Sequence, residues 1–198
     1  MTDDTEGHDF QLGMRKLRET AEAFSSSNDP ELAQNAAGQA QKQVASRNTE
    51  KERIDWGNPA TFIQKDHFRL AHFPLSDGGH GGTTVFFDAY NNHAHTVEST
   101  AEVGEQSARV RFWLDGKSVF DESVATQPPN VSVEGLNFSK FNDCLAAQGI
   151  AAWVGYAAST VCAGVCAGTA GTGCAPCIAA LAGFGGGVIG TCVYKAWE

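Results

Sequence analysis

From Leu145 to Val193 the chain holds no Asp, Glu, Lys, Arg or His, and its six cysteines all lie at or beyond Cys144, at 144, 162, 166, 174, 177 and 192. Ala, Gly, Val, Ile, Thr and Cys dominate this run. A surface built from it would be one long apolar patch, so the run must be buried, held in lipid or stapled by covalent bonds. The 143 residues before it carry 13 Lys and Arg against 22 Asp and Glu, while the tail holds only Lys195 and Glu198. The net charge of -9 therefore belongs to the front part.

That contrast divides the chain into three. Residues 1–55 read as a helical or partly disordered acidic leader, 56–138 as an antiparallel β domain, and 139–198 as an apolar cysteine-rich peptide. An acidic balance without a basic stripe argues against nucleic acid as a partner, because phosphate binding needs clustered Lys and Arg. The Met-Thr-Asp-Asp-Thr-Glu start is acidic where a Sec signal needs positive charge. No apolar stretch follows it, and Arg15-Lys16-Leu17-Arg18 is not a twin-arginine signal. Cysteine density nevertheless points to an oxidising destination for the tail. The expected localisation is a secreted C-terminal peptide, with the remainder cytoplasmic or membrane-associated.

Phe10, Met14, Leu17, Ala21 and Phe24 recur at steps of four and three, which predicts an N-terminal helix ended by Ser25-Ser26-Ser27-Asn28. Asp29-Pro30-Glu31 then reads as a new helix start, with Asp29 as N-cap and Pro30 at the first helical position. This second helix, over 30–47, has only Leu32 and Val44 as large apolar residues and reads as a solvated element. Beyond Trp56 come short runs rich in Val, Phe, Thr and Trp, at 70–75, 83–89, 96–103, 108–114, 117–124 and 131–136. Gly, Asn, Asp and Pro bound them, as in a small antiparallel sheet or sandwich. Asp115-Gly116 between two such runs matches a two-residue type I′ hairpin, with Val110, Phe112 and Leu114 on one face and Arg109, Arg111 and Trp113 on the other. The tail offers two apolar segments, about 145–167 and 178–194, around a Gly/Thr-rich turn. The expected class is α+β: N-terminal helices, a small antiparallel sheet or sandwich, and a C-terminal helical hairpin.

Three readings of the cysteines compete. Six cysteines in a disulfide framework allow fifteen pairings, among which spacing does not choose. Cys162, Cys166, Cys174 and Cys177 have tolerable spacing for a zinc site, and free cysteines used as small apolar residues are the third reading. The framework reading leads, with no metal and no cofactor expected. If the hairpin meets a membrane, Ile150, Trp153, Val154, Ile178, Leu181, Phe184, Val188 and Ile189 are the contact residues. Gly183/Gly187 and Gly186/Gly190 have the four-residue spacing that lets helices approach closely in lipid. The other reading of the same segments is a hydrophobic hairpin buried by the sheet domain.

A block with Cys162-x-x-x-Cys166, the turn Gly171-Thr172-Gly173-Cys174-x-x-Cys177 and a Gly-rich apolar end before Cys192, placed behind an acidic region, resembles the cysteine-rich microhalocin precursors. The likeness is confined to the last 55 residues. It implies a precursor cut by a processing protease to release a disulfide-stabilised peptide that attacks the membrane of competing cells. It also implies that the chain's own N-terminal or β domain serves as shield or immunity partner.

Two further features of the sequence bear on chemistry. His67, His72, His80, His93 and His95 fall within 29 residues, and His93-Ala94-His95 on a strand would point both rings to one side. Paired glycines at 78–79 and 81–82 can mimic a leader-peptide cleavage site but also mark plain turns. Neither a G-x-S-x-G, an H-E-x-x-H, a P-loop nor a G-x-G-x-x-G after a strand is present, so the chain is not expected to be an enzyme. The alternative to a bacteriocin-like precursor is a non-toxic protein with a membrane-anchoring or core-packed C-terminal hairpin and a partner-binding β domain.

Overall fold

In the computed structural model the described residues are 24–44, 53–64, 68–125 and 136–147, with Cys162, Cys192, Lys195, Ala196 and Trp197. Their strands are β1 (Phe24–Ser27), β2 (Ala60–Gln64), β3 (Phe68–Pro74), β4 (His80–Asp88), β5 (His93–Val103), β6 (Ser107–Leu114) and β7 (Lys117–Ala125), and their helices α1 (Pro30–Val44) and α2 (Phe138–Ala147). The strands form one seven-stranded sheet, ordered as in the sequence, and each neighbouring pair is antiparallel. β1 reaches β2 by way of α1, but from β2 onward the meander needs only short connections, where Gly, Asn and Asp punctuate the sequence.

This architecture corrects the expected fold class. Phe24–Ser27, assigned by periodicity to the end of a first helix, is the edge strand of the sheet. Ser27 Oγ donates to Thr61 Oγ1 at 3.0 Å, and Thr61 Oγ1 donates to the Ser27 carbonyl at 2.6 Å. Pairing with β2 thus supplies partners that a local helical pattern does not reveal. The rest of that first helix lies outside the described residues. So does the C-terminal helical hairpin, apart from 145–147, Cys162 and Cys192, and so does 131–135 of the last expected strand. The described residues form one sheet with two short helices, in place of the N-terminal helix pair, sheet and helical hairpin that were expected.

α1 starts where Asp29 predicts it. The Leu32 N–H donates to Asp29 Oδ1 at 2.9 Å, the capping bond of an N-cap aspartate, and Arg69 reaches the same carboxylate. The helix is more than a solvated element: Leu32, Ala36 and Ala40, four apart, are buried against Ala71, Phe73, Val85 and Phe87 of β3 and β4, with Ile54 and Leu75 beside them. Alanines bury little area each, but their small size lets the helix lie close on the sheet. Trp56 closes this core against Phe73, ring centroids 5.1 Å apart.

Strand alternation places Phe62, Leu70, Phe86, Val97, Val110 and Phe112 on the opposite face. Those six are also buried, none more than 8% exposed. Both faces of the central strands are therefore covered, whereas α1 occupies only one.

The hairpin between β6 and β7 is as expected. Leu114 pairs with Lys117, and Asp115 and Gly116 have φ 49° and 80°, the left-handed pair that a type I′ turn requires. Asp115 also fastens the turn to β5, accepting the Thr96 N–H on Oδ1 at 2.8 Å. Arg109 forks onto Asp121 at 2.8 and 3.1 Å, and Arg111 reaches Glu102. These partly solvent-exposed pairs stabilise the fold little.

Gly81 and Gly82 lie within β4, both buried, with φ 143° and 152°. A Cβ on Gly82 would stand 2.2 Å from the Phe73 carbonyl oxygen, and one on Gly81 2.2 Å from that of Ser99. The pair lets β4 sit between β3 and β5, so this diglycine is a packing device enclosed in the sheet, with no cleavage-site geometry. Gly82→Ala is expected to lower stability by about 2 kcal/mol, through a strained backbone and a displaced neighbour. Denaturant unfolding measures it, and a variant as stable as the parent refutes the packing role.

Candidate functional site

The cysteine-rich tail begins at a helix whose start the sequence marks at Asn137. Asn137 precedes Phe-Ser-Lys as an N-cap: its Oδ1 accepts the Lys140 N–H at 3.1 Å and its carbonyl accepts the Phe141 N–H at 3.0 Å. Phe141 and Leu145, four apart on α2, are 2% and 0% exposed. Cys144 lies beside them on the same side of the helix and is half-buried.

Two ties bring the C-terminus back to this point. Leu136 forms an antiparallel bridge with Trp197, and the Asn137 N–H donates to the Ala196 carbonyl at 2.8 Å. One helix turn beyond Phe141, Cys144 is joined to Cys192 by a disulfide, Cα atoms 5.5 Å apart, across a sequence separation of 48. Cys192 and Ala196 are fully buried, Leu136 nearly so, and Lys195 stays exposed. The residue before the tail and the last residues of the chain thus meet in one clasp of hydrogen bonds, apolar burial and one covalent bond.

Cys162 is 2% exposed and is also disulfide-bonded; among the described residues there is no free cysteine. Bonded sulfur is not a thiolate, so Cys162 drops out of the zinc set proposed for Cys162, Cys166, Cys174 and Cys177. Cys166, Cys174 and Cys177 lie outside the described residues. So do Ile150, Trp153, Val154, Ile178, Leu181, Phe184, Val188 and Ile189, the expected membrane-contact set. Among the described residues no helix is long and apolar enough to cross a membrane.

No family model, curated protein or solved structure matches the chain. The clasp and the sheet must therefore carry the functional reading by their own chemistry.

Among the described residues His72, His93 and His95 do not converge; His67 and the side chain of His80 lie outside them. A bulge at Ala94 interrupts the β4–β5 register, pairing Phe87 with His93 and Phe86 with His95. His93 lies edge-on to Phe87 at 6.4 Å, with Nε2 2.9 Å from Thr96 Oγ1. His95 Nδ1 is instead 2.9 Å from Asp115 Oδ2. The bulged residue breaks the alternation that would have aligned the two rings, which is why the expected His-x-His pair is absent. His72 is buried at 4% exposure, its Nδ1 2.8 Å from Thr84 Oγ1. Burial pushes its pKa down to about 4, so the ring is neutral at pH 7. Among the described residues no three His, Cys, Asp or Glu side chains gather as a metal site.

An open cleft of about 480 Å³ lies where β1, the start of α1 and the 57–62 segment meet, lined by Ser27, Asp29, Asn58 and Thr61 among others. Its hydroxyls and carboxylate are already engaged with one another, with the α1 backbone and with Arg69. The cleft is lined without His or Cys.

Proposed function

We propose that the chain is a bacteriocin-like precursor whose disulfide-stapled C-terminal peptide is released by a processing protease and acts on the membranes of competing cells. The supporting observation is the clasp. Cys144 and Cys192 bracket the charge-free run, and Leu136 and Trp197 close the same loop one step further out. A unit whose two ends meet each other can be severed from the sheet domain by one cut, between β7 and α2, without opening its own closure. The bridge also supplies rigidity that a Gly/Ala-rich sequence lacks. In the intact chain the sheet domain acts as shield, keeping the apolar tail from water and from the producer's membrane. No catalytic group belongs to this reading, and neither does nucleic acid.

The rival, a core-packed C-terminus in a non-toxic, partner-binding protein, is favoured by the burial of Phe141, Leu145, Cys162, Cys192 and Ala196 in the uncut chain. Intact mass of secreted and cellular forms, with and without thiol alkylation, separates the two. The precursor reading expects a secreted fragment starting between 126 and 136, with all six cysteines protected, that makes vesicles leak. An uncut, reduced chain in the native host would sink it.

A further inference from the structure

The face of the sheet turned away from α1 is a buried apolar surface that needs a second layer. We infer that this face, built from Phe62, Leu70, Phe86, Val97, Val110 and Phe112, is the docking surface for the chain's own segment 148–191. The inference rests on the precursor reading in that the tail must be held before it is released, and it names the surface that holds it.

Three observations converge. First, those six side chains are at most 8% exposed in a single chain with no partner, while Leu32, Ala36 and Ala40 of α1 lie against the other face. The cover is therefore part of this chain. Second, charge matches one occupant: no buried residue on this face is Asp, Glu, Lys or Arg, and 148–191 has none either. Residues 1–23, the other long stretch, carry Asp3, Asp4, Glu6, Asp9, Arg15, Lys16, Arg18, Glu19 and Glu22. They suit the opposite face, where Glu98 is buried beside the row of Glu102, Arg109 and Arg111. Third, length fits. From β2 to β6 the face is about 19 Å wide at roughly 4.8 Å per strand spacing, and 148–191 supplies 44 residues to cross it, where an extended chain advances roughly 3.3 Å per residue.

The test uses the full oxidised chain with a site-specific protease sequence inserted between Pro128 and Pro129. All six cysteines lie in the C-terminal fragment, so no disulfide can join the two pieces after cutting. They are expected to travel together on a sizing column and to part only in denaturant; separation in native buffer overturns the inference. In the cut protein, Phe112→Ala is expected to weaken retention at least about tenfold, with Trp113→Ala, on the other face, within about threefold. Equal losses overturn it. Circular dichroism of the uncut variants checks folding, and Val110→Ala, a smaller truncation, replaces Phe112→Ala if that chain does not fold. Deleting residues 1–23 should leave retention unchanged; if retention is lost, the N-terminal segment is the occupant and the inference fails. A tail that is retained but leaves vesicles intact would instead sink the precursor reading and spare the docking surface.

Discussion

Removing the Cys144–Cys192 bridge with Cys144→Ser/Cys192→Ser is expected to cost about 4 kcal/mol, the largest loss from any two-atom change described. The magnitude follows from the loop it closes. A separation of 48 residues frees, on the chain-entropy account, about 4 kcal/mol of conformational freedom in the unfolded state. The Leu136–Trp197 bridge and the Asn137 N–H to Ala196 bond would remain. They are one backbone contact, contributing on the order of 1 kcal/mol. Thermal or guanidinium unfolding of the oxidised parent and the double variant measures the difference, and limited proteolysis reports whether the C-terminus frays. A loss below about 1 kcal/mol would mean that the apolar packing of Phe141, Leu145 and Ala196 closes the loop without the covalent bond, leaving the staple without its assigned role.

Acid should destabilise the sheet between pH 6.5 and 4, by about 3 kcal/mol at the lower end. His72 is buried and neutral, its pKa pushed down to about 4 by loss of solvation. In the unfolded chain the same ring takes up its proton near 6.5. As pH falls through this window the unfolded state binds the proton first, so stability present above 6.5 is progressively lost, at about 1.4 kcal/mol per pH unit. The aspartates act elsewhere. Hydrogen bonds from Asn92 hold Asp88 below its usual value, those from the Gly79 amide and Arg53 hold Asp77 down, and Arg109 does so for Asp121. Stability contributed by these carboxylates persists until pH drops below 3.8. Urea unfolding at intervals from pH 7 to 4 tests the point, with His72→Gln as control. The variant should start less stable but show a flat profile over this range. A parent with a flat profile would mean that His72 finds room to be charged in the folded chain.

The parts of the molecule that could be read from residues are the local ones. Runs rich in Val, Phe, Thr and Trp between Gly, Asn, Asp and Pro marked β3 to β7, and Asp115-Gly116 announced its own turn because such a pair takes two left-handed conformations cheaply. Asp29 ahead of Pro30 announced α1 for a similarly local reason, a side-chain oxygen within reach of the first free N–H groups. At the site, confinement of every cysteine to the charge-free tail identified the region. Asn137-Phe-Ser-Lys, another N-cap, was a signal available and not used. Missed elements are those whose reason lies far along the chain. Ser25-Ser26-Ser27 has no strand character until Thr61 pairs with it across 34 residues. The bulge at Ala94 undid an alignment of His93 and His95 that strict alternation had required.

What the residues settled alone was chemistry laid out in order: where charge stops, where sulfur begins, and which stretches alternate and which turn. Such properties depend on a residue and its near neighbours, and no folding is needed to express them. That Cys144 joins Cys192, a bond common to three of the fifteen pairings, which face of the sheet α1 takes, and that both faces are buried were decided only in three dimensions. Those outcomes depend on which apolar surfaces can close on one another without leaving charge or backbone unpaired, a comparison among distant segments that no local pattern contains.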